Sequence, residues 1–159
     1  MKNDTFNDDR IKSGNQVEIQ AYMTAIEAGI DAARVVMKYW PSLTNKDFDK
    51  NLALDIFQKE GTGNYATIAD KVSEDIILNK IKSETLLSTH RIITEESDEI
   101  VSDSKWQWII DPIDGTPPFK NGLPEFGISI GLLYGQEPRV GVIVMPAQKQ
   151  LIASRKDHG

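Results

Sequence analysis

Asp111 and Asp114 stand three residues apart in "WQWIIDPIDGTPPF", residues 106–119, and are followed at once by Gly115, Thr116 and two prolines. Carboxylates held close repel: at about 4 Å and an effective dielectric of about 20 the cost is roughly 4 kcal/mol, enough to drive a proton onto one of them. A hard divalent cation removes the conflict, and magnesium takes carboxylate, water and phosphate oxygens in an octahedral shell. A helix start beside them offers backbone N–H groups to an anion. Carboxylates for a cation next to amides for a phosphate are the parts of metal-assisted phosphoester hydrolysis.

The elements that must position these groups follow from the same stretch. Period-two alternation sets Trp106, Trp108 and Ile110 on one face of a strand and Gln107, Ile109 and Asp111 on the other, so Asp111 is expected to close the strand. Pro112 fixes its own φ and keeps Asp111 extended. Gly115 permits an unusual backbone angle, and Thr116 is suited to cap a short helix starting at Pro117. Trp106 and Trp108 read as packing residues, and His90 as the start of a strand.

Upstream, residues 1–14 are polar and expected to be flexible, and 15–159 read as one domain. "NQVEIQAYMTAIEAGIDAARVVMKYW" places Val17, Ala21, Ala25, Ala28, Ala32, Val35 and Tyr39 at helical spacing until Pro41 stops it. The stretch around "NKDFDKNLALDIFQKEGTGN" is ambiguous between helix and loop. From Thr67, "TIADKVSEDIILNKIKSETLL" predicts a second helix, with Thr67 and Asp70 as a variant capping box. After residue 90 the period becomes that of strands, in "HRIITEE", "KWQWIID", "EFGISIGLLYG", "RVGVIVMP" and "QLIAS". The expected fold class is therefore an α/β or α+β layered domain, with helices packed on one face of a largely antiparallel sheet.

Composition narrows the function classes. A net charge of −6 over 159 residues argues against a broad nucleic-acid surface, which takes clustered Lys and Arg. No apolar run approaches the roughly 20 residues of a membrane span, and the polar, acidic start lacks the form of a secretory signal. The absence of cysteine removes disulfides, thiolate chemistry and sulfur-held zinc. These features point to a cytoplasmic protein without a membrane partner.

"WIIDPIDGT" followed by F-x-x-G-x-P-x-F-x-I-S-I-G-L, with "TEE" upstream, resembles the inositol monophosphatase family of magnesium-dependent, often lithium-sensitive phosphatases. The resemblance implies a layered fold of the sugar-phosphatase type and Mg2+ as cofactor. It makes Glu95, Asp111, the Ile113 carbonyl and Asp114 metal ligands. It gives Asp114, Gly115 and Thr116 to the substrate phosphate, with the Thr116 hydroxyl helping to activate the attacking water. "NYATIAD" aligns with the family's D-x-V-T-x-x-D, so Asp70 would support Thr116 or an outer metal. A small phosphorylated substrate is implied, and a homodimer is the family's usual assembly.

Taken singly, each piece has a plainer reading. Thr67 with Asp70 can be a helix cap only, Glu95 with Glu96 solvated surface, Asp114 with Gly115 an ordinary turn, and Lys59 an exposed loop lysine. Three departures from the family pattern also stand: Pro117 and Pro118 remove two N–H donors after "DGT", Asn64 and Ala66 replace a carboxylate and a larger apolar residue, and W-D-x-A-A-G does not occur. In the family that motif completes the second metal site. The expectation is thus the amino-terminal part of the family fold, active alone or through a companion chain that supplies the rest. The alternative is a truncated or degenerate metal- or phosphate-binding domain with little activity.

Overall fold

The computed structural model describes the backbone of residues 4–51 and 64–158 and the side chains of residues 15–51 and 68–158. Lys59 and the ambiguous stretch from residue 52 onward lie outside the described residues. Helix α1 spans Asp4–Tyr39 and α2 spans Asn64–Ser83; strands β1 (Arg91–Thr94) and β2 (Trp106–Asp114), the short helix α3 (Thr116–Lys120), then β3 (Gly127–Tyr134), β4 (Glu137–Met145) and β5 (Gln150–Arg155) complete the order. The strands form one sheet in sequence order. β1 pairs parallel with β2, and every later pairing is antiparallel, so the sheet is mixed but largely antiparallel, as alternation predicted.

Both helices pack on one face of this sheet. α1 starts at Asp4 rather than near residue 15, and its buried stripe runs through Ala21, Ala25, Ala28 and Ala32 to Val36, with Val35 only half-buried. Small side chains at those positions let the helix lie close on Val140, Val142 and Val144 of β4, the inward set of that strand. A Cβ added at Gly29 would stand 2.8 Å from Val144 Cγ2. Gly29→Leu is therefore expected to lower the unfolding free energy by about 1–3 kcal/mol through overpacking, measurable by urea denaturation. Pro41 follows the end of α1, as the sequence predicts.

α2 begins at Asn64, three residues before the predicted start, so Thr67 lies inside the helix and is not its cap. Its buried face includes Asp70, Ser73, Glu74, Ile77, Leu78 and Ile81, polar in the first half and apolar in the second. The opposite face of the sheet carries Ile109, Ile143 and Ile152, each between 43% and 57% exposed, so no described element covers it. Trp108 is fully buried and Trp106 half-buried, stacked with His90 at 6.4 and 5.8 Å between ring centroids. Among the described residues no helix is long and apolar enough to cross a membrane.

Candidate active site

β2 does not stop at Asp111 as alternation predicted; it continues through Pro112 and Ile113 to Asp114. Asp111 faces Ser129 and Asp114 faces Gly127 on β3, so β2 holds one residue more than its partner over that interval. The surplus residue is a bulge, which accommodates a proline that cannot donate to the ladder and re-aims the side chains on either side of it. Asp111 and Asp114 thus leave the same strand tip on a locally altered register.

Gly115 then turns the chain at φ 94°, ψ 41° and is the residue before α3. An added Cβ would lie 2.7 Å from the Glu125 carbonyl oxygen, so both the backbone angle and the space demand glycine. Gly115→Ala is expected to cost at least about 2 kcal/mol of stability, read from chemical denaturation. α3 starts at Thr116, one residue earlier than predicted. It is anchored by buried Phe119, which meets Phe126 edge-on at 5.0 Å, while Trp40 at the end of α1 packs on Phe126 and donates from Nε1 to the Leu123 carbonyl. The Thr116 hydroxyl donates to the Ile113 carbonyl at 3.2 Å.

The carboxylates named from sequence come together around this tip. Glu95, in the turn after β1, hydrogen-bonds Asp111, and burial, Glu95 and then Asp114 push the Asp111 carboxyl up to about 6. Asp70, on the buried face of α2, is pushed up to about 7 by burial first and then by Glu96, Asp111 and Glu95, against an opposing pull from Lys120. Asp111 Oδ1 is buried with no hydrogen-bond partner. Asp70 is therefore no surface capping residue, and the Glu95 and Glu96 pair is exposed but joined electrostatically to the buried acids.

Among the described residues, no three acidic or imidazole side chains converge closely enough to hold a metal ion as they stand. The donor set nevertheless fits a hard divalent cation: its atoms are carboxylate and carbonyl oxygens, its carboxylates lie close enough to raise one another, and one buried carboxylate oxygen lacks a partner. A cavity of about 720 Å³ opens beside the Glu95 turn, lined by Leu78, Lys82, Thr94, Glu95, Glu96 and Ser97 among others. Asp111, Asp114 and Thr116 do not line it, so it adjoins the acid cluster without being its centre.

Sequence reading missed Ser73, Glu74 and Thr94. Ser73 Oγ donates to the Pro112 carbonyl at 2.9 Å, and Thr94 Oγ1 donates to Glu74 Oε1 at 3.2 Å. The available signal was spacing: Ser73 and Glu74 lie three and four residues after Asp70 and share its helix face.

Helices on one face of a mixed sheet, with acids gathered at strand tips beside a glycine-started turn, make a layered α/β fold. The chain belongs to the inositol monophosphatase family, whose sequence profile matches residues 19–159. It is 38% identical over 115 residues to the Nus factor SuhB of Haemophilus influenzae, covering 72% of this chain and 42% of that protein. It is 28% identical over 137 residues to the fructose-1,6-bisphosphatase/inositol-1-monophosphatase of Aquifex aeolicus, covering 86% of this chain and 51% of that one. Among solved structures, the inositol monophosphatase of Anabaena superposes with a TM-score of 0.66 at 30% identity, over 85% of this chain and 43% of that one. The chain thus spans about half the length, or less, of the relatives it matches.

Proposed function

We propose that the acid cluster supports magnesium-dependent hydrolysis of a small phosphate monoester. The observation that carries this reading is the gathering of Asp70, Glu95, Asp111 and Asp114 into one electrostatic cluster, with an unpaired buried oxygen on Asp111, beside the Gly115 turn. Glu95, Asp111, the Ile113 carbonyl and Asp114 would hold Mg2+, which supplies stabilisation of the charge that develops on the phosphoryl oxygens. The Gly115 and Thr116 amides would donate to the phosphate, since Pro117 and Pro118 have no N–H to give. The Thr116 hydroxyl spends its proton on the Ile113 carbonyl, which leaves its oxygen free to accept from the attacking water and hold it in line. Asp70, buried beside the cluster, would support Thr116 or an outer metal. Water adds to phosphorus, the ester P–O bond breaks, and the alcohol leaves with a proton.

The test is phosphate release by the purified chain, with and without Mg2+, from inositol phosphates, sugar phosphates, histidinol phosphate and phosphoadenosine nucleotides. Release that requires Mg2+ from one class supports the reading and names the substrate class; no release from folded protein removes the catalytic claim. A second reading draws on the relatives named as Nus factors: a binding domain that uses this fold in an assembly and turns over little. The uncovered sheet face with Ile109, Ile143 and Ile152 favours it, and equally favours a homodimer or a companion chain. We place the protein in the cytoplasm.

A further inference from the structure

Three polar residues on the buried face of α2 touch or face both strand ends that carry the acids. Asp70 joins the cluster itself. Ser73, fully buried, holds the Pro112 carbonyl at 2.9 Å, in the bulge between Asp111 and Asp114. Glu74, 1% exposed, accepts from Thr94 Oγ1 at 3.2 Å. Thr94 is the last residue of β1, immediately before Glu95, and its hydroxyl oxygen also accepts the Ser97 N–H at 3.1 Å, closing the turn that holds Glu95 and Glu96.

We infer that Ser73 and Glu74 are positioning residues, setting the Asp111 strand tip and the Glu95 turn at one fixed separation for the cation. The inference rests on the proposed metal site. A fully buried carboxylate is costly and a helix face against a sheet is ordinarily apolar, as the second half of α2 is, so packing alone gives no reason for Ser73 and Glu74. What these bonds accomplish is specific. β1 and β2 are joined by a long connection and pair over only four residues, and the ladder ends at Thr94 opposite Ile110. Beyond that point, Glu95 and Asp111 no longer share ladder hydrogen bonds, and α2 supplies the cross-tie. Groups that orient metal ligands without touching the metal typically change affinity 10- to 100-fold when removed.

The test compares wild type, Ser73→Ala, Thr94→Val, Thr94→Ser and Asp111→Asn. Mn2+ serves as the probe, read by its electron paramagnetic resonance signal, and metal-free thermal unfolding is recorded for each variant. Thr94→Val keeps the side-chain shape and deletes the bond to Glu74 together with those to Ser97. It is expected to weaken Mn2+ binding about 10-fold in protein that is fully folded at the temperature of measurement, Ser73→Ala similarly, and Thr94→Ser is expected to restore it. Wild-type Mn2+ affinity in folded Thr94→Val and Ser73→Ala, with Asp111→Asn binding poorly, would overturn the positioning role and leave the metal site standing. Failure of wild type itself to bind Mn2+ in an Asp111-dependent way would overturn the metal site and this inference with it.

Discussion

Asp111→Asn is expected to lower magnesium-dependent phosphate release at least about a thousandfold, equivalent to roughly 4 kcal/mol of transition-state stabilisation, while making the metal-free chain more stable. Both effects come from one charge. The half-buried Asp111 carboxyl sits against Glu95 and Asp114 and is already pushed up to about 6. An amide of the same shape can still bond Glu95 but brings no charge for a cation to balance. Without metal, the amide relieves repulsion and the midpoint of thermal unfolding should rise by about 5 °C. With Mg2+ present, wild type gains stability by binding and the variant does not. Phosphate release assays and calorimetry on the same preparations check both halves. A variant that loses activity and stability together would point to misfolding; one that keeps activity would remove Asp111 from the chemistry.

The stability that Asp70 contributes to the metal-free chain should be lost as pH rises from about 4 to about 8. The Asp70 carboxyl lies near 4 in an unfolded chain and is pushed up to about 7 in the fold by burial and then by Glu96, Asp111 and Glu95. Below pH 4 both states are protonated and the group opposes nothing. Between pH 4 and 7 the folded state holds a proton that the unfolded state has released, so unfolding free energy falls with pH. The full displacement corresponds to about 4 kcal/mol for Asp70. Asp111 acts in the same direction over a narrower window, and because its charge is itself one of the causes that raise Asp70, the two do not simply add.

His90 acts in the opposite direction. Burial lowers its imidazole to about 4, so between about 4 and 6.5 the unfolded state binds the extra proton and stability rises with pH. Comparing variants separates the two. Asp70→Asn should match wild type near pH 4 and exceed it by a few kcal/mol at pH 8 in a chelator, and Mg2+ should shrink that gap. Urea denaturation across the pH range reads all of this. A gap independent of pH would mean that Asp70 is not the titrating group.

The part of the site that was legible in the sequence is the part made by local chemistry. Proline angles, a glycine that turns the chain and strand alternation are written in consecutive residues, so Asp111, Asp114, Gly115 and Thr116 could be assigned to one corner from their order alone. The family resemblance added Glu95 and Asp70 to that corner, and the structure brings both there. The bulge was not legible, because it exists only relative to the register of Ser129 and Gly127 on the neighbouring strand. Thr67 and Asp70 were misread as a cap because the helix already starts at Asn64, and burial of Asp70 is decided by the sheet beneath it. Ser73 and Glu74 share the helix face of Asp70 by spacing, but only tertiary contact with Pro112 and Thr94 shows what they hold. Strand alternation does not encode direction, so which pairing of the largely antiparallel sheet is parallel could not be read from the sequence.

The packing of α1 on β4 also sets a timetable for folding. The alanine stripe buries against valines more than a hundred residues further along, and Arg139 reaches back to the largely buried Glu18 at 3.1 Å. During synthesis the helix emerges well before the strand it rests on, whereas β2 to β5 form by short-range pairing of neighbours. Contacts of such long sequence separation slow folding, because the chain must close a large loop before they contribute. Until β4 is in place, the part of α1 that rests on Val140, Val142 and Val144 lacks its final cover, although α2 and β3 also pack on this helix.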